Sequence, residues 1–235
     1  MNTTTTINPT TEEEIKSYDR ISEKIAKEKV AKANETYKSW KKTSFSERSK
    51  LMLKLATIFE ENKEEYAQLA TLEMGKVISQ SRKEIEKCAL ICRYYANNIE
   101  ELLADEVIET EASKSYVTFQ PLGVTLAVMP WNFPFYQVIR FAAPAVMTGN
   151  TGVLKHASNV QGCAFALEDA FKKAGFPEGV FTNLNVSSDH IKAIIEDKNI
   201  IAVTLTGSEP AGRSVAKIAG ENLKKTVLEC IYYFR

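Results

Sequence analysis

The period of the apolar residues changes once along this chain of 235 residues, after the acidic stretch 105–111. That change limits the fold more than any single motif does. Before it, apolar side chains recur at helical spacing. Ile21, Ile25, Ala33, Tyr37 and Trp40 mark one face over residues 18–42, and Leu51, Leu55, Ile58 and Phe59 mark a second helix. Ser44 followed by Glu47 predicts a capping box, in which each side chain satisfies an orphan backbone N–H. A third helix runs to Met74 and is closed by Gly75, a residue that accepts the left-handed conformation of a helix end. A fourth covers 77–103 through Ile85, Cys88, Cys92, Tyr95 and Ile99. Residues 1–111 therefore read as a helical segment carrying no ligand chemistry.

Beyond the change, residues 116–120 alternate, and 124–129 is a short apolar run of the buried-strand type. Strands at 151–155, 180–185, 201–206 and 226–229 interleave with helices at 135–147, 160–174, 189–196 and 211–219. Alternating strands and helices predict an α/β fold over 112–229, with a Rossmann-type parallel sheet covered by helices on both faces. The ligand site of such a sheet lies at the carboxyl ends of its strands. Residues 230–235 stand apart as a tail.

Composition narrows the partners. Thirty basic side chains balance thirty acidic ones, so no global field draws nucleic acid or an anionic membrane, and a small molecule is favoured. No charged and apolar leader opens the chain, and no apolar run is long enough to span a bilayer, which points to the cytoplasm. Cys88, Cys92, Cys163 and Cys230 are scattered, as in a reducing compartment. Cys88 and Cys92 share a helical face, but His156 and His190 are distant in sequence, so no metal site is expected.

Four segments carry chemistry. Pro130, Trp131, Asn132, Phe133 and Pro134 follow the first buried strand, and the two prolines stiffen the turn that aims Asn132. An amide held there can stabilise a developing oxyanion; the plainer alternative is a turn asparagine bonded to its own backbone. Lys155 ends the next strand and Ser158 lies just beyond it; a cation and a hydroxyl there suit a ribose or phosphate, the plainer alternative being a solvated lysine. Thr206, Gly207, Ser208 and Gly212 form a strand end, a glycine turn and a helix start, which suits phosphate but also an ordinary helix cap. Glu229 closes the last strand toward the same edge as Asn132, the plainer alternative being a salt-bridged or solvated glutamate.

Taken in order, these segments resemble the aldehyde dehydrogenase superfamily. The matching stretches are PWNFP at 130–134, LKHAS at 154–158, GFPEGVFTN at 175–183, LTGSEPAG at 205–212 and TVLE at 226–229. INPTTEE from Ile7 and TLEMGK at 71–76 match as well, and the whole is most similar to the succinate-semialdehyde dehydrogenase branch. The resemblance implies that Asn132 donates to the oxyanion of a thiohemiacetal and that Glu229 is the general base that activates water. It implies that Pro130, Trp131, Lys155, Ser158, Gly207, Ser208 and Gly212 hold the cofactor. NAD-preferring relatives carry a glutamate where this chain has Ser158, and a carboxylate there would repel a 2′-phosphate, so NADP is expected ahead of NAD. Arg140 stands where semialdehyde-using relatives place an arginine, as a partner for the remote substrate carboxylate or as a surface ion pair.

The resemblance stops at Glu229. Relatives continue with Leu-Gly-Gly and reach the nucleophilic cysteine further on, whereas this chain reads Cys230, Ile231, Tyr232, Tyr233, Phe234, Arg235. Cys230 does not match the nucleophile's place. The expectations are a truncated chain without its catalytic domain, poor solubility, and no turnover on its own. A homo-oligomer is expected only of the complete enzyme. The alternatives are a non-catalytic nucleotide-binding fragment, a partner of an intact homologue, or an inert product.

Overall fold

The structure, a computed structural model, describes residues 3–231. It begins with strands where a helix was expected. β1 (Thr3–Ile7) pairs antiparallel with β2 (Glu14–Asp19), Thr4 opposite Tyr18, and helix α1 starts only at Glu23 and runs to Trp40. Tyr18 is therefore in a strand, and the first hundred residues are not all helical. The period of two is present in β1, with Thr4 and Thr6 buried and their neighbours more exposed, but threonines carry it, so an apolar pattern cannot reveal it.

The remaining early helices follow their local signals. α2 (Phe45–Glu61) opens with the capping box: Glu47 N–H donates to Ser44 Oγ at 3.2 Å, and Ser44 N–H donates to Glu47 Oε2 at 2.8 Å. α3 (Lys63–Met74) ends at Gly75 with φ of 79°, and α4 spans Ile78–Leu102. A small ribbon follows, β3 (Glu106–Val107) with β4 (Tyr116–Val117), so only the start of the alternating stretch 116–120 is paired.

The α/β portion runs β5 (Val124–Met129), α5 (Tyr136–Met147), β6 (Thr151–His156), α6 (Gln161–Ala174), β7 (Phe181–Asn183), α7 (Ile191–Glu196), β8 (Ile200–Ser208), α8 (Glu209–Glu221) and β9 (Lys225–Ile231). The five strands are all parallel in the order β7-β6-β5-β8-β9. The chain winds outward from β5 in one direction and then returns to its other side, so the topological switch lies between β5 and β8. β9 continues past Glu229 through Cys230 to Ile231; Glu229 does not close it, and part of the supposed tail is strand. Residues 232–235 lie outside the described residues.

Two apolar cores enclose the sheet. Ala127, Met129, Leu154 and Phe181 face one core with α2 to α6, while Val124, Leu126, Val153, Val203 and Leu205 face the other with α1, α7 and α8. Adjacent residues of β5 and β6 divide between the two cores, as the strand period requires. Cys88 and Cys92 of α4 are packed into the first core, where burial pushes both thiols up. No helix of the described residues is long and apolar enough to cross a membrane.

Candidate functional site

The carboxyl ends of β5, β6, β8 and β9 bring most of the sequence-predicted residues to one edge. Asn132 lies in the turn from β5 to α5, partly buried between Pro130 and Pro134, with Trp131 and Phe133 about half exposed beside it. Its Oδ1 is buried without a hydrogen-bond partner. A turn asparagine bonded to its own backbone would have satisfied that atom, so the plainer reading of Asn132 does not describe this turn.

Two buried side chains hold the turn. His156, at the end of β6, accepts Ala157 N–H on Nδ1 at 2.9 Å, with Met129 O 3.3 Å from the same nitrogen; the accepted bond assigns the ring proton to Nε2, which then donates to Pro134 O at 2.9 Å. Its complete burial lowers its pKa from 6.5 to about 4, so the ring is neutral. From α4, Glu84 Oε1 accepts Phe135 N–H at 2.8 Å and Tyr136 N–H at 2.9 Å, placing an anion at the N-terminus of α5. Lys76 pairs with Glu84 and lies 4.2 Å over the ring of Phe133.

Lys155 stands one residue before the end of β6, and its Nζ donates to Ser188 Oγ at 3.4 Å. Burial lowers its pKa, and the charge of Arg20 adds to the effect. Arg20 follows β2 and donates from Nε to Thr4 Oγ1 at 2.8 Å, so the hairpin supplies a second cation here. Among the described residues neither cation has a carboxylate partner. Ser158 is exposed at the start of a short 3-10 turn, Ser158–Val160.

Gly207 and Ser208 end β8, and Ser208 is the N-cap of α8, exposed, with no capping bond from its hydroxyl. Gly212, in the first turns of α8, is buried against β9; a Cβ there would run into Cys230 Sγ. Glu229 and Arg140, assigned separate roles from the sequence, are in contact. Arg140 pairs with Glu229 through both of its terminal nitrogens, one of them at 3.4 Å, and Thr206 Oγ1 donates to the same carboxylate at 3.4 Å. They line a cavity of about 450 Å³ with Met129, Gln137 and Val227, between α5 and the sheet. A larger cavity of about 950 Å³ lies between α1 and α6, and none of the sequence-predicted site residues lines it.

Sequence reasoning missed His156, Glu84, Lys76 and Arg20. His156 and Lys76 sit inside the quoted stretches LKHAS and TLEMGK, a signal of position without a role. Glu84 carries no such signal, since it is one of several glutamates along α4 and its spacing does not set it apart.

The aldehyde dehydrogenase family model matches residues 1–230. The chain belongs to the aldehyde dehydrogenase family. Among its relatives in that family, the probable NADP+ succinate-semialdehyde dehydrogenase of Synechocystis sp. is 51% identical, over 95% of this chain and 49% of that protein. The NADP+ succinate-semialdehyde dehydrogenase 1 of Mycobacterium tuberculosis is 48% identical, over 95% of this chain and 50% of that one. The crystal structure of succinic semialdehyde dehydrogenase from Streptococcus pyogenes, in complex with NADP+, matches with a TM-score of 0.94 at 39% identity, covering 96% of this chain and 50% of that chain. This aldehyde dehydrogenase chain thus spans about half the length of the relatives it matches.

Proposed function

We propose that these residues form the cofactor-holding and oxyanion-contributing half of an aldehyde dehydrogenase site that oxidises a semialdehyde, succinate semialdehyde foremost, with NADP. The observation that carries the reading is the convergence of Asn132, Lys155, Gly207, Ser208 and Glu229 on the carboxyl edge of one parallel sheet, around its switch point. The names of the NADP+ relatives support the choice of cofactor and substrate.

The residues present fit NADP. Lys155 and Arg20 share a region with no opposing carboxylate among the described residues, and Ser158 leaves space where an acid would repel a 2′-phosphate. The Gly207 and Ser208 turn offers backbone N–H groups at the N-terminus of α8 to the pyrophosphate, and Gly212 lets that helix lie close to β9. Pro130 and Trp131 wall the turn beside it. When bound, the nicotinamide supplies the two-electron acceptor for the aldehyde.

Asn132 then offers its amide N–H to the oxygen that gains charge, an effect worth roughly 3 kcal/mol in comparable oxyanion sites. Glu229 takes the proton of the hydrolytic water. Arg140 receives the substrate's remote carboxylate after leaving Glu229. Half-exposed pairs of this kind contribute about 0–1 kcal/mol, so the exchange costs little.

Turnover also needs a thiolate. Cys88, Cys92 and Cys163 are buried with their thiols pushed up, and Cys230 faces α8, on the side of the sheet opposite Glu229 and Arg140. The expected behaviour of the 235-residue chain is therefore binding without oxidation. Calorimetric titration with NADP and NAD, together with an assay for aldehyde-dependent NADPH, tests both parts. Tighter binding of NAD would sink the cofactor reading, and NADPH formation would sink the claim of inactivity.

A further inference from the structure

The Pro134–Phe135 peptide is tied at both of its polar atoms by buried side chains from distant parts of the chain. Its carbonyl accepts from His156 Nε2 at 2.9 Å, and its N–H donates to Glu84 Oε1 at 2.8 Å. His156 is 1% exposed, and the side chains of Lys76 and Glu84 are 6% and 0% exposed. Flipping this peptide would strand a donor and an acceptor where water cannot reach them. Lys76 offsets the burial of the Glu84 charge, and the Phe133 ring covers its ammonium.

Asn132 lies two residues upstream of this peptide. Pro130 and Pro134 have their φ angles set by their rings, so the remaining freedom of the turn is rotation in the residues between them and in the peptide that follows. His156 and Glu84 remove that freedom at the downstream end, while β5 anchors the upstream end through Met129. We propose that His156 and Glu84, supported by Lys76, are positioning residues that set where the Asn132 amide stands. The proposal rests on the reading of Asn132 as the oxyanion donor. The imidazole suits the task because it donates to Pro134 O while accepting from Ala157 N–H, bracing the ends of β5 and β6 against each other.

NMR on the isotope-labelled 235-residue chain tests this. In the unaltered chain at neutral pH, the His156 ring nitrogens report a neutral ring with its proton on Nε2, and the Asn132 side-chain amide gives one sharp pair of signals. In His156→Leu and Glu84→Leu that pair shifts or divides into two sets, while the backbone amides of Gly207 and Ser208 stay in place. His156→Gln returns a donor to Pro134 O and restores a single set. A proton on Nδ1, or a charged ring, in the unaltered chain overturns the proposal even if the leucine variants fail to fold. An unmoved Asn132 pair in folded His156→Leu and Glu84→Leu overturns it as well. If the variants behave as expected but replacing the asparagine that matches Asn132 by alanine in an intact succinate-semialdehyde dehydrogenase leaves its turnover unchanged, rather than lowering it on the order of a hundredfold, the positioning role stands and the oxyanion reading falls.

Discussion

His156 is a buried base that must remain neutral, and the sign of its pH response follows. Its folded-state pKa is about 4 against 6.5 when free, so between those values the unfolded chain takes up a proton that the folded chain refuses. Stability from this residue is fully present above 6.5 and is lost as pH falls toward 4, by about 3 kcal/mol over the whole window. Urea unfolding across that range should show the loss in the natural chain and a shallower one in His156→Gln; equal slopes would contradict it. Arg140 predicts a different pattern. Because its pair with Glu229 is half exposed, Arg140→Ala should change stability by less than about 1 kcal/mol. It should nevertheless weaken binding of succinate semialdehyde by about tenfold or more, the cost of losing a charge-assisted pair, while leaving a neutral aldehyde of similar length unaffected. Equal loss for both aldehydes in a calorimetric comparison would remove the substrate role.

Element by element, local signals were legible where they were chemical and hidden where they were polar. The Ser44 capping box and the Gly75 helix end were readable because each needs only a few neighbouring residues. The β1–β2 hairpin was not, because its buried side chains are threonines and its partners lie across a turn. At the other end of the chain, α8 and β9 approach so closely that Gly212 has no space for a methyl group beside Cys230. Gly212→Ala should cost about 1–3 kcal/mol of overpacking, and Cys230→Ala in the same chain should return most of it. A thermodynamic cycle showing no coupling between the two positions would mean that α8 shifts to make room.

At the scale of the whole molecule, the winding of the sheet gathers a cation from each end of a long sequence interval. Arg20 comes from the early hairpin and Lys155 from β6, and their proximity predicts that Arg20→Ala weakens NADP binding several-fold, within the ~1–3 kcal/mol of a charge-assisted contact, and leaves NAD binding unchanged. Parallel losses for the two cofactors would assign Arg20 to folding alone. The sequence by itself determined the α/β class, the family, and the position along the chain of Asn132, Lys155, Ser208 and Glu229, because strand period and short motifs are local properties. Only the tertiary structure decided that Arg140 and Glu229 hold each other, that Arg20 stands by Lys155, and that His156 and Glu84 grip the turn carrying Asn132. Those pairings join residues 22 to 135 positions apart only through packing, and spacing along a chain does not encode which distant polar groups meet once water has been excluded.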